Sequence, residues 1–137
     1  MFISWVTQEG SKVIDLVEIT YPRPRACVIA LHGVHDRVTA ERMERLLHEA
    51  LALNDVVVVD VGGADFIDSS LVRNLLVADR RAREQEKVFR LQMGTAPIIR
   101  RVLELSGVVE TLSIAYTRDE ALESVNVEPS VKSRSRG

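Results

Sequence analysis

The chain alternates between two kinds of hydrophobic pattern. The stretches "ACVIAL", "DVVVVDV", "KVFRLQM" and "TLSIAY" are short apolar runs rich in β-branched residues, which is typical of buried strands. Between them, apolar residues recur about every three to four positions, as on one face of a helix. Strands that alternate with single helices from residue 25 onward predict right-handed crossovers and a largely parallel or mixed sheet. We therefore expect a small α/β fold, with a mixed β-sheet covered by helices mainly on one face.

Turn and capping residues set the expected boundaries of the first elements. The strand "ACVIAL" is predicted to end at Gly33, and "GGADFID" is predicted to carry the chain out of the next strand. Thr39 is a favourable N-cap for a helix over "AERMERLLHEALAL". A second helix is predicted from Ser69 to about Glu86, directly after Asp68.

Similar signals mark the helices in the last third of the chain. In "GTAPIIRRVLELSG", Thr95 can cap a helix, Pro97 suits its first turn, and Gly107 stands where a left-handed residue would end it. Thr117 and Glu120 have the spacing of a capping box before a short final helix.

The two ends of the chain have less regular patterns. "FISWV" and "KVIDLVEIT" flank the turn-like "TQEGS", which predicts one N-terminal strand or a hairpin of two, and "YPRPR" is expected to interrupt regular structure. Trp5 is interpreted as a packing or edge-strand residue, with a dimer contact as the alternative. "EPSVKSRSRG" lacks an apolar period. We expect one domain over residues 1–124 and a flexible tail over residues 125–137.

Composition narrows the classes of function. The 137 residues carry a formal net charge of −2, so no basic field is available to hold nucleic acid. No run approaches the length of a membrane span, and the apolar start lacks the cationic region of a signal peptide. Cys27, the single cysteine, lies in an apolar strand and is expected to be buried. We predict a cytoplasmic protein that binds neither nucleic acid nor membrane.

Residues that could carry chemistry are few. "GGADFID" has neither the lysine nor the spacing of a phosphate-binding loop. His32 and His35 are a weak candidate pair for a metal, and exposed or packing histidines are favoured over ligands, with Asp36 as a turn residue. Ser69 and Ser70 lack the glycine-flanked elbow of a hydrolase. The residues therefore predict no enzyme activity, no metal and no cofactor.

The stretch "DFIDSSLVRNLL" places two serines where a helix should begin. Asp68 and Ser69 are both good N-caps, so one interpretation is that they only satisfy the free backbone amides of the helix. The same position also suits a switch, because a phosphoryl group at a helix N-terminus meets a favourable dipole while Asp68 opposes the added charge. Residues alone leave both interpretations open.

The segment "VVVVDVGGADFIDSSLVRNLLVADRRAREQEKVFRLQMGTAPIIRRVLELSGVVETL", together with "GVHD" at Gly33 to Asp36, resembles the STAS domain of bacterial anti-sigma factor antagonists. The resemblance covers roughly residues 12 to 124. It implies a protein without enzyme activity that binds an anti-sigma factor serine kinase, frees a sigma factor and so regulates transcription. It also implies that the kinase phosphorylates the serine after the aspartate and that a serine phosphatase reverses this. Ser69 is then the expected phosphosite, and Ser70 is a secondary candidate.

The chain departs from that family after its serines. The family has glycine, an apolar residue and glycine there, and an acidic residue often stands at the position of Val34. Arg73 leaves three alternatives open: a clash with the usual partner, a pair with a phosphate on Ser69, or selection of a different partner. The expected partner-binding residues are Asp36, Asp68, Ser69, Ser70, Leu71, Val72 and Arg73.

Two other functions are weighed against this one. The first is an unphosphorylated STAS scaffold that binds another regulator, a second copy of itself or a small ligand, and Leu71 and Arg73 favour it. The second is a nucleotide-binding or hydrolytic site at the serines, which the absence of a glycine-rich lysine loop disfavours.

Overall fold

The computed structural model describes residues 16–122. They form a five-stranded sheet with helices packed against it. The elements are β1 (Val17–Arg23), β2 (Ala26–His35), α1 (Ala40–Leu53), β3 (Val56–Ile67), α2 (Ser69–Glu84), β4 (Val88–Gln92), α3 (Pro97–Leu105), α4 (Val108–Thr111) and β5 (Ser113–Ala115). A further helix, α5, begins at residue 118 and is described as far as residue 122.

The sheet is mixed, as the sequence predicts. Its strands follow chain order, β1-β2-β3-β4-β5. β1 pairs antiparallel with β2, and the remaining pairs are parallel. Because each parallel pair is joined by a crossover, the carboxyl ends of β2, β3 and β4 lie at one edge of the sheet, where binding sites of parallel sheets are commonly built.

The two faces of the sheet are covered unequally. On one face, which we call the core face, alternate residues of the strands pack with α1 to α4 in the main hydrophobic core. On the other, the second face, Val28, Val58 and Ala115 pack with Ala121 of α5. The expected layering, with helices mainly on one side, is confirmed. Residues on the core face include Cys27, Ile29, Leu31, Val57, Val59, Val61, Phe89 and Leu91.

Two strands run further than predicted. β2 continues past Gly33 to His35, and β3 continues through "GGADFI" to Ile67, so the expected exits at both glycine positions are wrong. β2 and β3 stay paired as far as His35 and Ile67. The register shifts twice along the way, between Ala30 and His32 and between Gly33 and Val34. Gly63 serves close packing instead of a turn, because a Cβ atom there would lie 2.7 Å from Nδ1 of His32.

β1 also extends beyond its expected end. It includes Tyr21, Pro22 and Arg23, which were expected to interrupt regular structure. A proline is tolerated here because β1 is an edge strand, and the pairing with β2 shifts register between Thr20 and Arg23. The predictions for "FISWV", for Trp5 and for the tail from residue 125 lie outside the described residues.

The predicted helix ends are only partly right. Pro97 occupies the start of α3, as expected, but Ala96 and not Thr95 is the N-cap, and no side chain caps that helix. Thr39 is at the N-cap of α1 but forms no capping bond there. Gly107 has a φ of 84°, the left-handed conformation expected where α3 ends.

The start of α5 follows half of the expected capping box. The Thr117 hydroxyl accepts a hydrogen bond from the Glu120 backbone N–H at 3.0 Å, as predicted. The Glu120 carboxylate, however, accepts from the backbone N–H of Tyr116 at 2.8 Å, one residue before the position that a capping box requires.

Candidate functional site

Two loops meet at the carboxyl edge of the sheet. His35 and Ile67 are register partners at the ends of β2 and β3, and Asp36 and Asp68 directly follow them. The backbone N–H of Asp68 donates to the carbonyl of His35 at 3.2 Å, which ties the start of α2 to the end of β2. The topology therefore brings together two aspartates that are 32 positions apart in the sequence.

Asp68 is the residue that caps α2. Its backbone is extended, and its Oδ1 accepts hydrogen bonds from the backbone N–H groups of Ser70 at 2.8 Å and Leu71 at 3.4 Å. Ser69 is the first residue of the helix and is exposed. Because Asp68 satisfies the free amides, the hydroxyl of Ser69 is not needed for capping and stays accessible on the first turn.

Asp36 organises the neighbouring turn. Its Oδ1 accepts from the backbone N–H of Val38 at 3.0 Å, and its carbonyl accepts from the backbone N–H and the hydroxyl of Thr39, each at 3.2 Å. This arrangement is a turn stabilised by an aspartate side chain, as the sequence predicts. It fixes the start of α1 beside the start of α2.

The residues after Ser69 divide between the surface and the core. Leu71 is 2% exposed, and it packs with Val72 in the main hydrophobic core. Ser70 and Arg73 instead line a groove between α1 and α2, opposite residues of α1 and Arg37 in the turn before it. Of the seven expected partner-binding residues, five lie at or near the surface, and Leu71 and Val72 face inward.

The groove between α1 and α2 is mainly polar and charged. Its walls contain Glu41 and Glu44 of α1 and Asn74 of α2, whose side-chain amide donates to the carbonyl of Ala40 at 3.0 Å. Small-molecule pockets are usually lined by apolar and aromatic side chains with few polar groups. The groove is therefore a poor match for the small-ligand alternative.

His35 supports the site from below. It is buried, and its Nε2 lies 3.0 Å from the carbonyl of Leu16 and 2.9 Å from that of His32, so Nε2–H donates to both. Nδ1 has no hydrogen-bond partner within residues 16–122. Desolvation by burial lowers the pKa of His35 from its usual 6.5. A neutral imidazole thus joins the end of β2 to the start of β1. The sequence indicates a packing histidine but not this positioning role.

The cysteine and the histidine pair do not form a reactive or metal-binding site in the described residues. Burial raises the pKa of the Cys27 thiol to about 12, so it is not a nucleophile at neutral pH. The side chain of His32 points to Glu18, with Nε2 and Oε1 3.4 Å apart, and does not join His35. Among residues 16–122, no group of three or more histidine, cysteine or acidic side chains could hold a metal ion.

Two exposed apolar residues beside the aspartates were not expected. Val34 and Phe66 are register partners at the ends of β2 and β3, and both are close to half exposed. From the sequence, Val34 is notable only because an acidic residue often stands at that position, and nothing predicts that Phe66 is exposed. Within the described part of the chain, no helix is both long and apolar enough to cross a bilayer.

The five-stranded mixed sheet and the aspartate cap at the start of α2 can be compared with known proteins. The family model described as "Mlab, STAS domain" matches residues 19–127. The chain therefore belongs to the STAS domain family, which confirms the resemblance drawn from the sequence. No curated protein matches the sequence.

Solved structures share this fold at low sequence identity. An anti-sigma factor antagonist from Mycobacterium paratuberculosis is 24% identical, with a TM-score of 0.72 over 82% of this chain and 96% of that chain. The Bacillus cell fate determinant SpoIIAA in its phosphorylated form is 22% identical, with a TM-score of 0.59 over 80% and 98%. The STAS domain of a SulP transporter from Vibrio cholerae is 17% identical, with a TM-score of 0.56 over 94% and 97%.

Proposed function

We propose that this protein is an anti-sigma factor antagonist, a non-catalytic binding module of the cytoplasm that binds an anti-sigma factor kinase and is switched by phosphorylation of Ser69. The observation that carries the proposal is that different residues cap α2 and present a free hydroxyl at its start. Asp68 caps the helix through its carboxylate, and Ser69 is left exposed on the first turn. A kinase can modify such a hydroxyl without removing a bond that the fold needs.

The local electrostatics suit a change of surface charge. A phosphoryl group adds about −1.5 to −2 charges at neutral pH. The free amides and dipole of α2 favour that charge, so the fold is expected to tolerate it. Asp68 and Asp36 lie at the same edge of the sheet as Ser69, so a partner that accepts the unmodified surface would meet additional negative charge beside them after phosphorylation. A loss of about 1.4 kcal/mol or more in binding free energy would weaken the complex at least about tenfold.

Relatives in fold support this proposal. SpoIIAA has been solved in both an unphosphorylated and a phosphorylated form, and both structures share the fold described above. A second candidate is a STAS module that is never phosphorylated and binds another regulator or its own copy. Arg73 favours it, because an exposed cation one helical turn after Ser69 changes the surface that a kinase would approach.

The test is phosphorylation by the anti-sigma factor kinases of the same genome, measured by intact mass with ATP. We expect one added phosphate on the wild-type chain and on Ser70→Ala, and none on Ser69→Ala. Ser70→Ala is the matched control, since Ser70 lines the groove between α1 and α2 one residue further along. A phosphate that persists in Ser69→Ala and disappears in Ser70→Ala would assign the switch to Ser70. Binding without any phosphate would favour the second candidate.

A further inference from the structure

Val34 and Phe66 form an exposed apolar pair at the carboxyl edge of the sheet. They are register partners in adjacent parallel strands, and they are 45% and 44% exposed. Their neighbours His35 and Ile67 are buried, and Ile67 belongs to the main hydrophobic core. Single exposed apolar residues are ordinary on protein surfaces, but two that adjoin on one face make a contiguous patch. This pair, which we call the apolar pair, lies on the second face, beside the candidate site.

A β-bulge creates the pair. Gly33 pairs with Ala64 and Val34 with Phe66, so Asp65 is an extra residue of β3 without a partner in β2. In a regular strand Phe66, two residues after Ala64, would face the core as Ala64 does. The bulge at Asp65 turns Phe66 to the opposite face instead, and Ile67 returns to the core. The bulge therefore places a large aromatic side chain next to Val34, where burial within the domain is incomplete.

Carboxylates surround the apolar pair. Asp65 is exposed and directly precedes Phe66. Asp36 lies two residues after Val34, and Asp68 lies two residues after Phe66, each just beyond the end of its strand. Arg37 and Arg73 line the groove between α1 and α2, which packs on the opposite face. Arg118 of α5, the helix on the second face, is paired with Asp60 at 3.2 Å. An apolar centre with an acidic rim matches a partner surface with an apolar side chain and a basic rim.

We infer that the apolar pair is the centre of the surface that binds the anti-sigma factor, and that the partner inserts an apolar side chain there, flanked by arginine or lysine. This inference rests on the proposed function and adds the chemistry of the partner to it. A second copy of this chain fits less well. A twofold interface centred on the pair would bring the two sets of carboxylates together.

The experiment measures binding of the unmodified protein to the anti-sigma factor kinase that phosphorylates it, by titration calorimetry at two salt concentrations. We expect Phe66→Ser and Val34→Ser to weaken binding, by at least about tenfold for Phe66→Ser, with an unchanged salt dependence. Asp65→Asn should weaken binding less and flatten the salt dependence, because it removes a charge from the rim. Leu53→Ser is the matched control: Leu53 is 56% exposed at the far end of α1 and should leave the affinity unchanged.

The possible outcomes separate this inference from the proposed function. If no anti-sigma factor kinase binds or phosphorylates the wild-type chain, the proposed function fails and the inference fails with it. If a kinase binds but Phe66→Ser behaves like Leu53→Ser, the proposed function stands and the inference is overturned. If sedimentation shows that Phe66→Ser abolishes self-association while kinase binding is unchanged, a second copy occupies the pair, and the inference is again overturned. Thermal melting of each variant is measured in parallel, so that a loss of binding caused by unfolding is recognised.

Discussion

Replacing Asp68 with alanine tests which side chain holds the start of α2. The substitution removes an acceptor for the backbone N–H groups of Ser70 and Leu71, which lie 2.8 Å and 3.4 Å from Oδ1. It also removes a negative charge from the positive end of the helix dipole. The backbone hydrogen bond from Asp68 to His35 does not involve the side chain and should remain.

The expected cost combines these two effects. Loss of an N-cap typically destabilises a protein by about 1 kcal/mol, within a range of about 0.5–2 kcal/mol. Loss of the charge interaction adds about 0.3–1 kcal/mol at low salt. We therefore expect Asp68→Ala to lower the free energy of unfolding by about 1–2 kcal/mol, which corresponds to a fall in Tm of roughly 3–8 °C for a domain of this size. The charge contribution should shrink at high salt.

The assay is urea unfolding of three variants, followed by circular dichroism. Asp68→Asn keeps a good capping side chain and should recover most of the stability lost in Asp68→Ala. Ser69→Ala removes an exposed hydroxyl that does not cap the helix, so its effect should stay within about 0.5 kcal/mol. A cost of about 1 kcal/mol for Ser69→Ala with little effect of Asp68→Ala would show that the serine is the cap, and the reasoning about an accessible Ser69 would be refuted.

Three further predictions concern residues around the site. Leu71→Gly should destabilise the protein by about 3 kcal/mol or more in urea unfolding, because it empties a core position and adds the helix cost of glycine. A loss below about 1 kcal/mol would contradict the buried packing. The pKa of His35 is lower in the folded protein than in the unfolded chain, so the unfolded chain binds more protons below about pH 6.5. The Tm should therefore fall as the pH drops from about 7 toward the folded pKa. His35→Gln should reduce this pH dependence of Tm, while the exposed control His48→Gln should keep it. Cys27 should resist iodoacetamide in the native protein at neutral pH and react in denaturant, as measured by intact mass; rapid native labelling would contradict its burial.

The fold could be predicted because its periodicities are strong. The continuous β-branched run of β3 can only be assigned as a strand, and the apolar stripe of α2 only as a helix. Because strands and helices alternate along the chain, the strands must be joined by crossovers in a mixed sheet. The ends of β2 and β3 could not be predicted, since Gly33 in β2 and the glycine pair in β3 are equally good signals for a turn and for a continuing strand. Only the structure shows that His32 lies against Gly63 and excludes a side chain there.

The site was predictable where a local rule governs it. An aspartate before a helix is an N-cap by its own chemistry, and Asp36 stabilises a turn for the same reason. Phe66 was not predictable, because its direction depends on the bulge at Asp65, which is a property of the pairing with β2 and not of the residues themselves. The role of His35 likewise depends on contacts with a strand far away in the sequence.

If phosphorylation of Ser69 switches the binding surface, the modified and unmodified chains should bind the kinase with different affinities. The chain phosphorylated on Ser69 and the unmodified chain would be titrated against the same anti-sigma factor kinase under identical salt conditions. We predict that the phosphorylated chain binds at least about tenfold more weakly while its Tm stays within a few degrees of the unmodified chain. Equal affinities for the two forms would contradict the claim, because the added charge would then lie outside the surface that the partner contacts.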